Sequence, residues 1–132
     1  MKKKKLNYFQ CVMLIMFVSG VNPINKLKLL DNDGKAHSLL KEEISQGTKT
    51  RLNRSLKNIT ELFNTIEKSR AELMKNHGIT KDNKDNFEAY TAQFKELTAE
   101  LFDVEIDIVD INKVSDFVSK IDYTAAIEIL AE

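Results

Sequence analysis

Two stripes of large apolar residues at helical spacing, a scarcity of helix breakers and one short alternating segment together predict a mainly α domain with a minor β element. The first stripe is Leu52, Leu56, Ile59, Phe63, Ile66 and Leu73; the second is Phe87, Tyr90, Phe94, Leu97 and Leu101. Steps of three and four residues put each set on one helix face. The two helices should therefore fold back on each other as an antiparallel helical hairpin core over residues 48–102, with additional short helices around it. One proline, four glycines and no tryptophan in 132 residues disfavour a turn-rich sandwich. With 42% hydrophobic and 30% charged residues, 1–132 is expected to be a single domain.

At the N-terminus, the charged Lys2–Lys5 is followed by the apolar run Cys11-Val-Met-Leu-Ile-Met-Phe-Val18. The run is too short to span a bilayer. Leu6, Phe9, Met13 and Phe17 stand at helical spacing, so 1–20 is expected to form a core-facing first helix. The alternative is a secretory signal, with Val18-Ser19-Gly20 as small residues near a cleavage point. The lone Cys11 excludes an internal disulfide, suits a reducing compartment and is expected to be a buried, inert thiol.

Asn22-Pro23 marks a turn, and Asp31-Asn-Asp-Gly34 a second one. Between them Lys26-Leu-Lys-Leu29 alternates, as one arm of a small hairpin would. Leu39, Leu40 and Ile44 suggest a short helix over 38–45, ended by Gly47. Thr48 is the expected N-cap of the long helix, which should run to about Asn76 or His77 and end at Gly78 in a left-handed turn. Asp85 with Glu88 has the spacing of a helix start, close to a capping box. Beyond the second helix the period drops to two: Val104-Glu-Ile-Asp-Ile108 reads as a half-buried strand. Its expected partner is the 26–30 segment. Val114, Phe117, Val118 and Ile121 suggest a further helical turn, and Asp122 is the expected cap of a last helix with Tyr123, Ile127 and Leu130 facing inward.

The net charge of zero conceals a segregation. Residues 1–60 carry twelve Lys/Arg and four Asp/Glu, a net +8; residues 61–132 carry eight and sixteen, a net −8. Either the two halves attract each other, or one of them faces a charged partner. The candidate partner-binding residues are the basic Lys49, Arg51, Arg54 and Lys57 at the long helix start, and the acidic Glu105, Asp107 and Asp110. On a strand Glu105 and Asp107 share a face that excludes Asp110, and no glycine-bearing loop surrounds them, so a solvated face is expected rather than a metal site. His37 and His77 have no ligand-spaced Cys or carboxylate near them in sequence. No catalytic, metal or cofactor-binding constellation is recognisable, which predicts a non-enzyme without cofactors. Asn53-Arg-Ser55 and Asn58-Ile-Thr60 match a glycosylation sequon but fall mid-helix, where chance explains them.

Arg70-Ala-Glu-Leu-Met-Lys-Asn-His-Gly78, then Phe87-x-x-Tyr-x-x-x-Phe-x-Glu-Leu97 and the acidic Val-Glu-Ile-Asp segment, occur in an order that resembles small helical proteins encoded by tailed phages and prophages, a group without an assigned function. The resemblance covers about 48–132. It implies a helical fold and a phage-type accessory protein that acts by protein–protein contact on a host or phage complex, in the cytoplasm of the bacterial host cell. No membrane association is expected. An anti-CRISPR or other host-defence inhibitor that blocks a nucleic-acid-processing enzyme is the sharpest version. Such a protein could engage a nucleic-acid-bound complex. A virion or assembly component, self-associating as a homo-oligomer, is the alternative, and a secreted protein follows only if 1–20 is a signal.

Overall fold

A computed structural model describes residues 1–31, 33–42, 44–80, 86–110 and 124–131. Strand β1 (Lys2–Leu6) and helix α1 (Tyr8–Ser19) are followed by a long loop and a 3-10 turn at Leu39–Lys41. Helices α2 (Gln46–Asn76) and α3 (Phe87–Ala99), strand β2 (Phe102–Ile106) and helix α4 (Thr124–Ala131) complete the order. The mainly helical fold with a minor two-stranded sheet is thus as expected. Among the described residues, no helix is long and apolar enough to cross a membrane.

Helix α1 sits at the centre. Asn7 Oδ1 accepts from the Gln10 N–H and Gln10 Oε1 accepts from the Asn7 N–H, both at 2.9 Å, so the two polar residues before the apolar run form a capping box. Beyond them the helix is apolar on nearly every side, which requires burial. It packs against α2, α3, α4 and the 3-10 turn, and Cys11, Leu14, Phe17 and Val18 are fully enclosed. Each such aliphatic or aromatic side chain contributes roughly 1.5–3 kcal/mol. A core-facing first helix is therefore present, but over 8–19 rather than 1–20: Leu6 belongs to β1, and Phe9, expected on the core face, is exposed. The hairpin seam is not the centre of the molecule.

Helix α2 follows the predicted stripe: Leu52, Ile59, Phe63 and Ile66 are buried. It begins three residues earlier than expected. Ser45, not Thr48, is the N-cap; its hydroxyl accepts from the Thr48 N–H at 3.1 Å and meets the Thr48 hydroxyl at 2.8 Å. Gly47 is absorbed into the first turn. At the far end Gly78 has φ 64°, the left-handed conformation predicted for it. Helix α3 meets only the second half of α2, and its predicted stripe is buried at Tyr90, half-buried at Phe94 and Leu97, and exposed at Phe87 and Leu101. Asn86 is its N-cap residue without a side-chain cap bond; Asp85 lies outside the described residues.

The strand partner differs from the expectation. β2 spans Phe102–Ile106 and pairs antiparallel with β1, not with 26–30: Lys2 faces Ile106, Lys4 faces Val104 and Leu6 faces Phe102. Four lysines carry little strand propensity. They fit because Lys3 and Lys5 stand opposite Glu105 and Asp103, while Lys2 and Lys4 share a face with buried Ile106 and Val104, which their apolar stems can cover. The 26–30 segment makes only isolated bridges, Val21 with Lys28 and Leu30 with Ala36. The expected helix over 38–45 contracts to the 3-10 turn. The helical turn expected at 114–121, the cap Asp122 and the inward-facing Tyr123 lie outside the described residues; Ile127 and Leu130 of α4 are buried as predicted.

Candidate functional site

The β1–β2 pairing and the start of α2 bring the two halves of the charge segregation together. Arg54 Nε donates to Asp107 Oδ2 at 2.7 Å, and the Asp107 side chain is buried while Arg54 remains largely exposed. The Asp107 N–H donates to Ser55 Oγ at 2.8 Å, and Asn58 Nδ2 donates to the Glu105 carbonyl at 3.0 Å. Three consecutive contact positions on α2 thus hold the end of β2. Asp107 therefore does not belong to a solvated face; it is a buried carboxylate with a guanidinium partner. Ser55 escaped the sequence reading, although it stands at the i+3 position from Leu52 and the i−4 position from Ile59, on the buried face itself.

The remaining basic candidates are split by helix geometry. Arg51, Arg54 and Lys57 follow each other by three residues, about 60° per step, and share one exposed face. Lys49 is half-buried and lies about 140° around the helix from Arg54. Lys2 of β1 faces Ile106, the residue before Asp107, while Lys3 points to the opposite side of the two-stranded sheet. Glu105 is exposed opposite Lys3, and Lys5 Nζ lies 3.8 Å from Asp103 Oδ1. Asp110 is exposed beyond the strand. Arg51, Arg54 and Lys57 thus form a cationic stripe on α2, Lys2 and Lys3 lie on opposite faces of β1, and part of the acidic strand is already compensated inside the molecule.

The groups with displaced pKa values lie elsewhere and fasten the scaffold. The Tyr8 hydroxyl donates to Glu67 Oε1 at 2.6 Å, and Arg70 grips the same carboxylate, with Nη2 at 2.7 Å from Oε2. Burial raises the Tyr8 hydroxyl well above its ordinary value, and Glu67 adds to the rise. Burial pushes the Glu67 carboxyl upward too, but the bonds from Arg70 and Tyr8 outweigh it and leave the group below the usual carboxylate range. Tyr8 also stacks on Phe63 at 5.6 Å and meets Phe94 edge-on at 5.8 Å, which locks α1, α2 and α3 at one point.

A second polar cluster organises the loop before the 3-10 turn. Asp31 Oδ1 accepts from the Asp33 and Lys35 N–H groups, both at 2.9 Å, and its other oxygen bonds His37 Nε2. The His37 bond first, then the backbone donors, draw the Asp31 carboxyl down to about 2. Glu42 lies 3.8 Å from His37 Nδ1, so the fold supplies carboxylate neighbours that the sequence spacing did not show. Among the described residues no group of three or more His, Cys, Asp or Glu side chains is arranged to hold a metal ion. His77 closes α2 and ties it to α3 through Gln93 Oε1 at 3.0 Å. No protein-family model, curated protein or solved structure matches this chain.

Proposed function

We propose that the chain is a non-enzymatic, phage-type accessory protein that binds an acidic surface of a host or phage protein complex inside the bacterial cell. The observation that carries this is the exposed stripe of Arg51, Arg54 and Lys57 along one face of α2, with the N-terminal lysines of β1 on the same two-stranded sheet whose end Arg54 ties down. A face of one sign raises the association rate with an oppositely charged partner and makes binding salt-sensitive. The resemblance of 48–132 to phage-encoded helical proteins supplies the cellular setting.

Affinity purification of the tagged protein from infected cells tests it. A specific protein partner, eluted by salt and lost when Lys3, Arg51 and Lys57 are changed to Glu, supports the proposal. Recovery of nucleic acid alone, turnover of a small molecule, or a partner indifferent to the three charge reversals overturns it.

A further inference from the structure

We propose that this chain also self-associates head to tail, the apolar 22–30 loop tip seating in the acidic groove between α2 and α3 of a second copy. The contact uses none of the residues of the basic face. Ile24, Leu27 and Leu30 are 54%, 65% and 53% exposed within seven residues of one loop, whereas Leu29 between them is buried and anchors it. The tip is built, not loose. The Ile24 N–H donates to Asn22 Oδ1 at 2.8 Å, the Leu27 N–H to Asn25 Oδ1 at 2.9 Å, and the Asn22 N–H to the Leu27 carbonyl at 2.9 Å. Lys26 holds φ 64°, a left-handed conformation that a residue with a Cβ adopts only when its surroundings impose it. A loop fixed before it binds loses little conformational freedom on docking. Lys26 and Lys28 stand among the aliphatic side chains and are exposed; Asp31, the next charged residue, bonds inward to His37 and the backbone, and Asp33 and Lys35 follow it beyond the tip.

The complementary surface lies on the same chain. A groove of about 380 Å³ between α2 and α3 is lined by half-buried Leu73 and Leu97 and by exposed Glu72, Glu96 and Glu100. Cationic side chains around aliphatic ones on the loop thus match anionic ones around aliphatic ones in the groove. Loop and groove cannot meet within one molecule. The loop follows the α1 C-terminus and leads through the 3-10 turn into the first turn of α2, and the groove lies along the last turns of that 31-residue helix, about 46 Å long. Tip against tip would set Lys26 and Lys28 against their copies, and groove against groove would do the same with Glu72, Glu96 and Glu100. A second copy, joined loop to groove, is the occupant that the charges select, and such a heterologous contact generates rings or open chains.

Sedimentation velocity over a concentration series at about 50 mM and about 500 mM salt tests the proposal. The expected result is mass above the 15.1 kDa monomer at low salt, rising with concentration and falling back at high salt. L27D disables the loop and E96K the groove; both positions are exposed, and circular dichroism checks that each variant keeps its helices. Each alone should be monomeric. Mixed, they should form a two-copy species and stop there, because only the E96K loop and the L27D groove remain competent. A wild-type chain that stays monomeric at every concentration, or a mixture that recovers no two-copy species, overturns the proposal.

Discussion

Gly20 ends α1 at φ 80°, with its N–H donating to the Met16 carbonyl at 2.8 Å and its own carbonyl accepting from Leu29 at 2.7 Å. A Cβ there would stand 2.5 Å from the His37 carbonyl oxygen and 2.7 Å from Ser38 Cβ. Gly20→Ala should therefore lose at least about 2 kcal/mol, from the left-handed backbone and the forced displacement of 37–38; urea denaturation measures it. At the Arg54–Asp107 pair, removing the cation is the more harmful change, since it strands a buried carboxylate. Arg54→Met should cost about 1–3 kcal/mol and Asp107→Asn less, with the double variant showing less than the sum. Titration follows the same local logic. Asp31, held at about 2, and Glu67, also lowered, stabilise the fold above the ordinary carboxylate range, and that contribution disappears as pH falls from about 4 toward 2. Burial raises the Cys11 thiol to about 11, so stability should be intact below its ordinary value and decline as pH rises from about 9 to 11. Thermal melting across pH should show both limbs, with Asp31→Asn flattening the acid one.

At the scale of elements, burial grades what spacing cannot. Phe63, Phe94 and Phe87 all sit on predicted apolar faces, but α1 covers the first, covers half of the second and does not reach the third. Phe63→Ala should cost about 3–5 kcal/mol, Phe94→Ala roughly half as much and Phe87→Ala within about 0.5 kcal/mol of nothing. Equal losses across the three in chemical denaturation would mean that α3 packs along its whole length. Helix α3 is held at its start by hydrogen bonds from Asn86 to the His77 carbonyl and between His77 and Gln93, at 2.9 and 3.0 Å. Its far half diverges enough to leave the groove beside Leu97. The β1–β2 ladder is short, and its cross-strand charges are solvent-exposed; Lys5 and Asp103 contribute well under about 1 kcal/mol. Leu6, Val104 and Ile106 on the inner face provide most of what fixes the strands.

For the molecule as a whole, α1 is the keystone: it touches α2, α3, α4 and the 3-10 turn, whereas the α2–α3 contact engages one end of the long helix. Deleting residues 1–20 removes β1, α1 and the central apolar layer together. The truncated chain should lose cooperative thermal unfolding and near-ultraviolet ellipticity, while a residue of far-ultraviolet helix signal from α2 persists. The same arrangement gives the surface its polarity. β1 and the first turns of α2 gather cations near the end of β2, while the second half of α2 and α3 present Glu72, Glu96 and Glu100.

Short-range physics was legible in the residues. The α2 stripe, the stop at Gly78, the strand character near Val104 and the burial of Cys11 each depend on neighbours within about four positions, where helical or strand periodicity and capping act. Even there Asn7 and Gln10, which interrupt an apolar run in sequence, acquire their meaning as a capping box only once the helix start is in place. The long-range pairings were not legible. A lysine run carries no alternation, so nothing local marks Lys2–Leu6 as the partner of Phe102–Ile106 nearly a hundred residues away. Nor does spacing show that Arg54 would meet Asp107, that Ser55 would receive a backbone N–H from β2, or that His37 would sit between Asp31 and Glu42. Those outcomes belong to the folded chain, because burial of the common core decides which charges are drawn out of water and must find partners there.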